Sequence, residues 1–168
     1  MQTNSQIRKK SWPRKNLGEL INFLETQHPE GLSLKTMSDR WKVSKANISN
    51  VFRRDDMKLS RVEEIAKLYG YELNLYFPVR HLDEGYVPVP PRGKYDNAGK
   101  LQGLVKYIQD SEYTISFIAE KMGVAPSTLS YDFRKGDMML SLLNKMLDTL
   151  GICAIWNFEK KNNSKDYE

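Results

Sequence analysis

Apolar residues recur along this chain first at helical spacing and then at strand spacing, and the changeover marks out the elements. In LGELINFLETQ, Leu17, Leu20, Ile21 and Leu24 fall on one face of an amphipathic helix. HPEG breaks that helix, and Ser33 stands as N-cap before a short second one, LKTMSDRW. The turn KVS leads to a third helix beginning after Ser44, KANISNVFRR, in which Ile48, Val51 and Phe52 point to a core. Lys45, Asn47, Asn50, Arg53 and Arg54 lie largely on the opposite side. Ser60 and Glu63 have the spacing of a capping box for a fourth helix that ends before Gly70, a C′ glycine. The period then drops to two: Tyr71, Leu73, Leu75 and Phe77 alternate with Glu72, Asn74 and Tyr76, as in a half-buried strand.

The same succession then returns. SNVFRRDDMKLS is answered by SYDFRKGDMMLS at a constant shift of 81 positions, as from Ser49 to Ser130, and the match runs without a gap from Met37–Phe77 onto Ile118–Phe158. In this second pass GKLQGLVKYIQD is the first helix, Thr114 caps ISFIAEKM, GVA is the turn, and Pro126 opens the third helix, where its missing N–H costs nothing. LLNKMLDTL ends at Gly151, and ICAIWNF is the closing strand. The first helices match at a shift of 84, as from Leu20 to Leu104, so the HPEGLSL loop carries three extra residues. The expected fold is mainly α: two tandem four-helix units over residues 17–78 and 98–158, each followed by a short β-strand, with pairing of the two strands left open. A basic arm (1–16), a proline-rich linker (79–97) and a polar tail (159–168) complete the chain.

Each unit is close to the smallest size one core can stabilise. With 168 residues, a formal charge of +5 and a pI of about 9.2, the composition fits a nucleic-acid partner without requiring one. Arg8, Lys9, Lys10, Arg14 and Lys15 are concentrated in the arm with no acid among them, either as phosphate binders or as a solvated terminus. Trp12, in their midst, either anchors the arm on the domain or touches DNA. Phe52, Phe133 and Trp156 are expected in cores, with Trp41 closing one at its helix end. One cysteine, Cys153, and two isolated histidines, His28 and His81, make neither a disulfide nor a metal site, and no cofactor motif is present. Asp55 and Asp56 sit in a turn, where they cap or are solvated. No residue set pairs a nucleophile with a base, so an enzyme is not expected. No apolar run suits a membrane span or a signal peptide, and the expected location is the cytoplasm.

A short helix, a tight turn and a second short helix with a polar outer face make the helix-turn-helix plan. WKVSKANISNVFRR and MGVAPSTLSYDFRKG, with LSRVEEIAKLYG as the fourth helix, resemble the Cro and phage-repressor-like (XRE) family of bacterial DNA-binding domains. The closing strand resembles that of XRE-type antitoxins, where a terminal strand can pair across a two-fold axis. Lys42 stands where the family has glycine, and Asp132 where an apolar residue is expected.

The resemblance implies a nucleoid-associated regulator of transcription, a repressor in a bacterial cell or phage-infected host, that binds double-stranded DNA sequence-specifically. It places Ser44, Lys45, Asn47 and Asn50 toward bases and phosphates, with Arg53 and Arg54 near the backbone. In the second unit the matching positions are Ala125, Pro126, Ser127, Thr128 and Tyr131, with Arg134 and Lys135 behind. Asparagine can pair bidentately with adenine and lysine can donate to guanine, so the first unit has the chemistry for base readout and the second mainly for positioning. If YELNLYF and ICAIWNF pair antiparallel around a pseudo-two-fold axis, two readers on one chain make a covalent pseudo-dimer spanning successive major grooves. The apolar run MMLSLLNKMLDTLG either packs against the first unit or forms a homodimer contact through the second. The alternative function is a protein-binding adaptor or antitoxin-like module on the same scaffold.

Overall fold

The computed structural model describes residues 12–79 and 98–161. Arg8, Lys9 and Lys10 of the arm, the linker from residue 80 and the tail from residue 162 lie outside the described residues. The fold is mainly helical, with eight α-helices, one 3-10 turn and two strands among the described residues. In order these are α1 (Gly18–Gln27), α2 (Leu34–Trp41), α3 (Lys45–Arg54), α4 (Leu59–Leu68), β1 (Tyr71–Tyr76), the 3-10 turn Gly99–Leu101, α5 (Gln102–Gln109), α6 (Ile115–Met122), α7 (Pro126–Lys135), α8 (Leu140–Leu150) and β2 (Ile155–Lys160). The strands form a two-stranded antiparallel sheet. None of the described helices is long and apolar enough to cross a membrane.

Helices of 8 to 11 residues are too short to persist alone in water, so packing holds them. In the first unit Leu17, Leu20, Ile21 and Leu24 of the α1 region are buried with Met37, Phe52, Leu59, Val62 and Ile65. Full burial of each such side chain contributes about 1.5–3 kcal/mol. Ser33 and Ser44 cap α2 and α3 by accepting the N–H of Thr36 and Asn47, at 3.4 and 3.2 Å. In the second unit Thr114 accepts the N–H of Phe117 at 3.1 Å, and Pro126 occupies the first turn of α7. There α6 packs on both α7 and α8, and Leu140, Leu143, Met146 and Leu147 are buried.

The compact units do not end where the repeat does. The first takes the chain through Leu73 and again from Phe158, and the second takes Asn74–Asn157, so each strand is divided between them. In the first unit Phe158 stacks on Phe23 with centroids 4.2 Å apart, and Lys161 N–H donates to Gly70 O at 3.0 Å. In the second, Asn74 Oδ1 accepts from Lys100 Nζ at 3.1 Å, and Phe77 lies so close to Gly103 that a Cβ there would meet it at 3.0 Å.

Two boundaries differ from expectation. α4 starts at Leu59, fully buried, with Lys58 in the N-cap position and no side-chain cap bond, so Ser60 is the second residue of the helix and Glu63 the fifth, away from the N-cap and N3 positions of a capping box. β2 starts at Ile155, later than ICAIWNF suggests, because Gly151 turns left-handed and Ile152 N–H bonds back to Leu147 O at 3.0 Å, closing α8.

At two positions of the first unit a non-glycine residue takes a left-handed conformation that a glycine takes in the second. Lys42 (φ 58°) corresponds to Gly123 (φ 72°), and Asp55 (φ 53°) to Gly136 (φ 66°). Lys42 makes its turn at a steric cost of about 1 kcal/mol. Asp55 offsets its cost: its carboxylate accepts the N–H of Leu17 at 2.9 Å and of Asn16 at 3.0 Å, capping α1 from across the fold. Its neighbour Asp56 accepts the N–H of Met57 at 3.0 Å, and Asp137 that of Met138 at 2.9 Å in the second unit.

The two sites therefore respond oppositely to glycine. Lys42→Gly is expected to stabilise the chain by about 1 kcal/mol by removing the left-handed strain. Asp55→Gly gains the same relief but loses a buried cap worth about 2 kcal/mol, for a net loss of about 1 kcal/mol. Urea denaturation of both variants against the parent checks the pair of signs.

Candidate nucleic-acid interface

α2 and α3 meet at the turn Lys42–Ser44, fixed by Lys42 N–H donating to Ser38 O at 3.0 Å and by Ser38 Oγ donating to Val43 O at 2.6 Å. This fixes the start of α3, and two aromatic contacts fix its far end. Phe52 is fully buried, Trp12 stacks on it with centroids 4.6 Å apart and planes within 11°, and Trp41 lies tilted against it at 6.3 Å. Trp12 thus anchors the root of the arm on the first unit. Val51, expected in the core, is only half-buried.

With Ile48 and Phe52 directed inward, Ser44, Lys45, Asn47, Asn50, Arg53 and Arg54 all stand exposed. Asn47, Asn50, Val51, Arg53 and Arg54 line one open depression of ≈ 650 Å³. The helix carries three cations, Lys45, Arg53 and Arg54, and no acid. Its two carboxamides are three positions apart and therefore share a face. Ser44 Oγ is engaged as the N-cap.

Of the arm, Lys15 is exposed, whereas the Arg14 guanidinium binds Asn22 Oδ1 at 3.1 Å and pairs with Glu25. That exposed pair is worth little in stability. It does hold Arg14 on α1.

In the second unit α6 and α7 meet at Gly123–Ala125, and Phe133 is fully buried in the place of Phe52. Ala125, Pro126, Ser127, Thr128, Tyr131, Arg134 and Lys135 are exposed. This face differs in chemistry: Arg134 Nε turns back to Ser130 O at 3.4 Å, Lys135 Nζ lies 5.6 Å from the centroid of the Tyr131 ring, and Asp132 offsets part of the positive charge. Its helix offers small hydroxyls and one phenol where α3 offers two carboxamides.

Asp55 and Trp12 are the residues whose part in placing α3 was least visible in the sequence. Asp55 reads there as a turn acid, and only its left-handed backbone and its alignment with Gly136 single it out. No group of three or more His, Cys, Asp or Glu side chains among the described residues could hold a metal ion. Comparison with protein-family models, curated proteins and solved structures returned no match.

Because the exposed face and its buried anchor lie on opposite sides of α3, their substitutions are expected to separate. Asn47→Ala, Asn50→Ala, Arg53→Ala and Arg54→Ala should leave the urea midpoint where it is. Phe52→Ala should cost about 3–5 kcal/mol, and a midpoint shift in any of the four surface variants comparable to that of Phe52→Ala would contradict this division.

Proposed function

We propose that the protein is a sequence-specific double-stranded DNA-binding regulator of transcription, acting as a repressor, related in plan to XRE-type helix-turn-helix domains. The observation that carries this reading is the α3 face, where Asn47, Asn50, Arg53 and Arg54 share one open depression on a helix with no acid. Asparagine amides match the N6/N7 edge of adenine, and guanidinium groups match guanine or phosphate oxygens. Lys45 and Lys15 add cations to the same unit.

In this reading α3 and α7 enter successive major-groove faces of one duplex, with the closing strands serving the pseudo-dimer. The duplicated chain then supplies in one molecule what a helix-turn-helix protein normally obtains from two. α3 reads bases, while α7 positions the second unit through Ser127, Thr128, Arg134 and Lys135 on the phosphates. Two unlike half-sites follow from two unlike faces.

Selection of bound duplexes from a random-sequence pool, at near-physiological salt, tests this. The expected result is a site with two unlike half-sites about 10 base pairs apart. Asn47→Ala should relax one half-site, costing about 1–3 kcal/mol of discrimination at one or two base pairs, and Thr128→Ala should change affinity without changing the preferred sequence. Absence of enrichment, or equal loss of preference in both variants, would contradict the proposal.

A further inference from the structure

Aligning the two units exposes a place that the first fills with its own side chains and the second leaves open. In the first unit the Tyr69 ring follows α4, with the Arg40 guanidinium 4.3 Å from its centroid and Arg40 Nη2 donating to Leu68 O at 3.3 Å. The Tyr69 hydroxyl accepts from Trp41 Nε1 at 3.1 Å and lies 2.6 Å from Nε2 of buried His28. Burial pushes this hydroxyl above the ordinary phenol range, against the opposing Trp41 hydrogen bond and Arg40 charge, so it stays neutral. His28 sits in the loop whose three extra residues the second unit lacks, and Leu32 at the end of that loop is buried.

At the shift of 81 positions, Tyr69 becomes Leu150, Arg40 becomes Lys121, Trp41 becomes Met122 and Leu32 becomes Tyr113. The ring is gone and so is the histidine loop. What remains is an open groove of ≈ 350 Å³ lined by Tyr113, Phe117, Ile118, Lys121, Thr149 and Leu150. Tyr113 and Phe117 stack with centroids 5.3 Å apart and planes within 3°, yet keep 45% and 40% of their surface exposed. Lys121 Nζ lies 5.4 Å from the centroid of Phe117, the ring nearest to hand where Arg40 has Tyr69.

We propose that this groove receives a phenylalanine side chain from a peptide segment of a partner protein. The counterpart in the first unit shows what fits: one aromatic ring beside a cation, Tyr69 there meeting Phe23 and His28 edge-on and Arg40 over its face. Neither group that holds the Tyr69 hydroxyl has a counterpart, since Met122 replaces Trp41 and the His28 loop is shorter, so a phenyl ring suits the groove better than a phenol. A polypeptide suits it better than a small molecule because the half-exposed walls, Tyr113 and Phe117, need covering beyond the ring itself. A second copy is a poor donor, since Phe117 is the one exposed phenylalanine among the described residues.

Phage-displayed random dodecapeptides selected on the immobilised full-length protein test the inference, independently of any DNA activity. Enriched peptides are expected to share a phenylalanine and to be displaced by N-acetylphenylalaninamide more readily than by N-acetyltyrosinamide. Leu150→Tyr, which refills the groove as in the first unit, should weaken the enriched peptide roughly tenfold or more, and Phe117→Thr, which installs the residue found at Thr36, should act in the same direction. Both should leave the duplex preference unchanged. Enriched peptides lacking an aromatic residue, or equal binding by Leu150→Tyr, would overturn the proposal. So would a doubling of the protein's mass that Leu150→Tyr abolishes, which would make the occupant a second copy.

Discussion

One buried ring in each third helix decides what the rest of the surface can do. Phe52 and Phe133 are both fully buried, and a helix of 10 residues with its inner face pinned at that point has its outer face oriented by default. The polar positions that surround them in sequence, such as Asn47 and Asn50, or Thr128 and Tyr131, can then vary without moving the helix. This is why the repeat keeps its phenylalanine, methionine and leucine framework while the exposed residues diverge. Divergence on a fixed frame gives one chain two different faces.

Trp12 stacks on Phe52, Asp55 reaches the N–H groups of Asn16 and Leu17, and Ser44 caps α3; the second unit has Gly136 in the place of Asp55, and Ala125 and Pro126 at the start of α7. In the proposed reading, a helix held in this way suits base readout, which depends on angles and distances set by the protein. The groove beside Leu150 belongs to the same divergence, in which Tyr69 and the longer His28 loop complete one unit and their absence leaves a place in the other.

Most of the helices were legible in the sequence because their signals are local. Ser33, Ser44 and Thr114 cap where spacing places them, and the apolar residues of α1, Leu17, Leu20, Ile21 and Leu24, are all buried. Period-two alternation found β1, whose Leu73 and Leu75 face inward. The misreadings came where a distant or backbone constraint outweighed a local motif. Ser60 and Glu63 have capping-box spacing, but buried Leu59 starts the helix two residues earlier than that box would. ICAIWNF looks continuous, but the Gly151 cap takes Ile152 away from the strand. The division of both strands between units and the reach of Asp55 to α1 are long-range contacts with no periodic signature. For the candidate site, the exposed residues of α3 and α7 were legible as polar positions, while Val51 at its rim and the pairing of Arg14 with Glu25 were not.

The most direct test of the account is the salt dependence of duplex affinity, measured by fluorescence anisotropy on the full chain and on an Arg53→Ala/Arg54→Ala double variant. If the cationic face of α3 meets the phosphate backbone, log affinity should fall linearly with log salt, and the variant's slope should be shallower by about 0.9 for each phosphate contact removed. A slope that is flat in the parent, or identical in the two proteins, would contradict it.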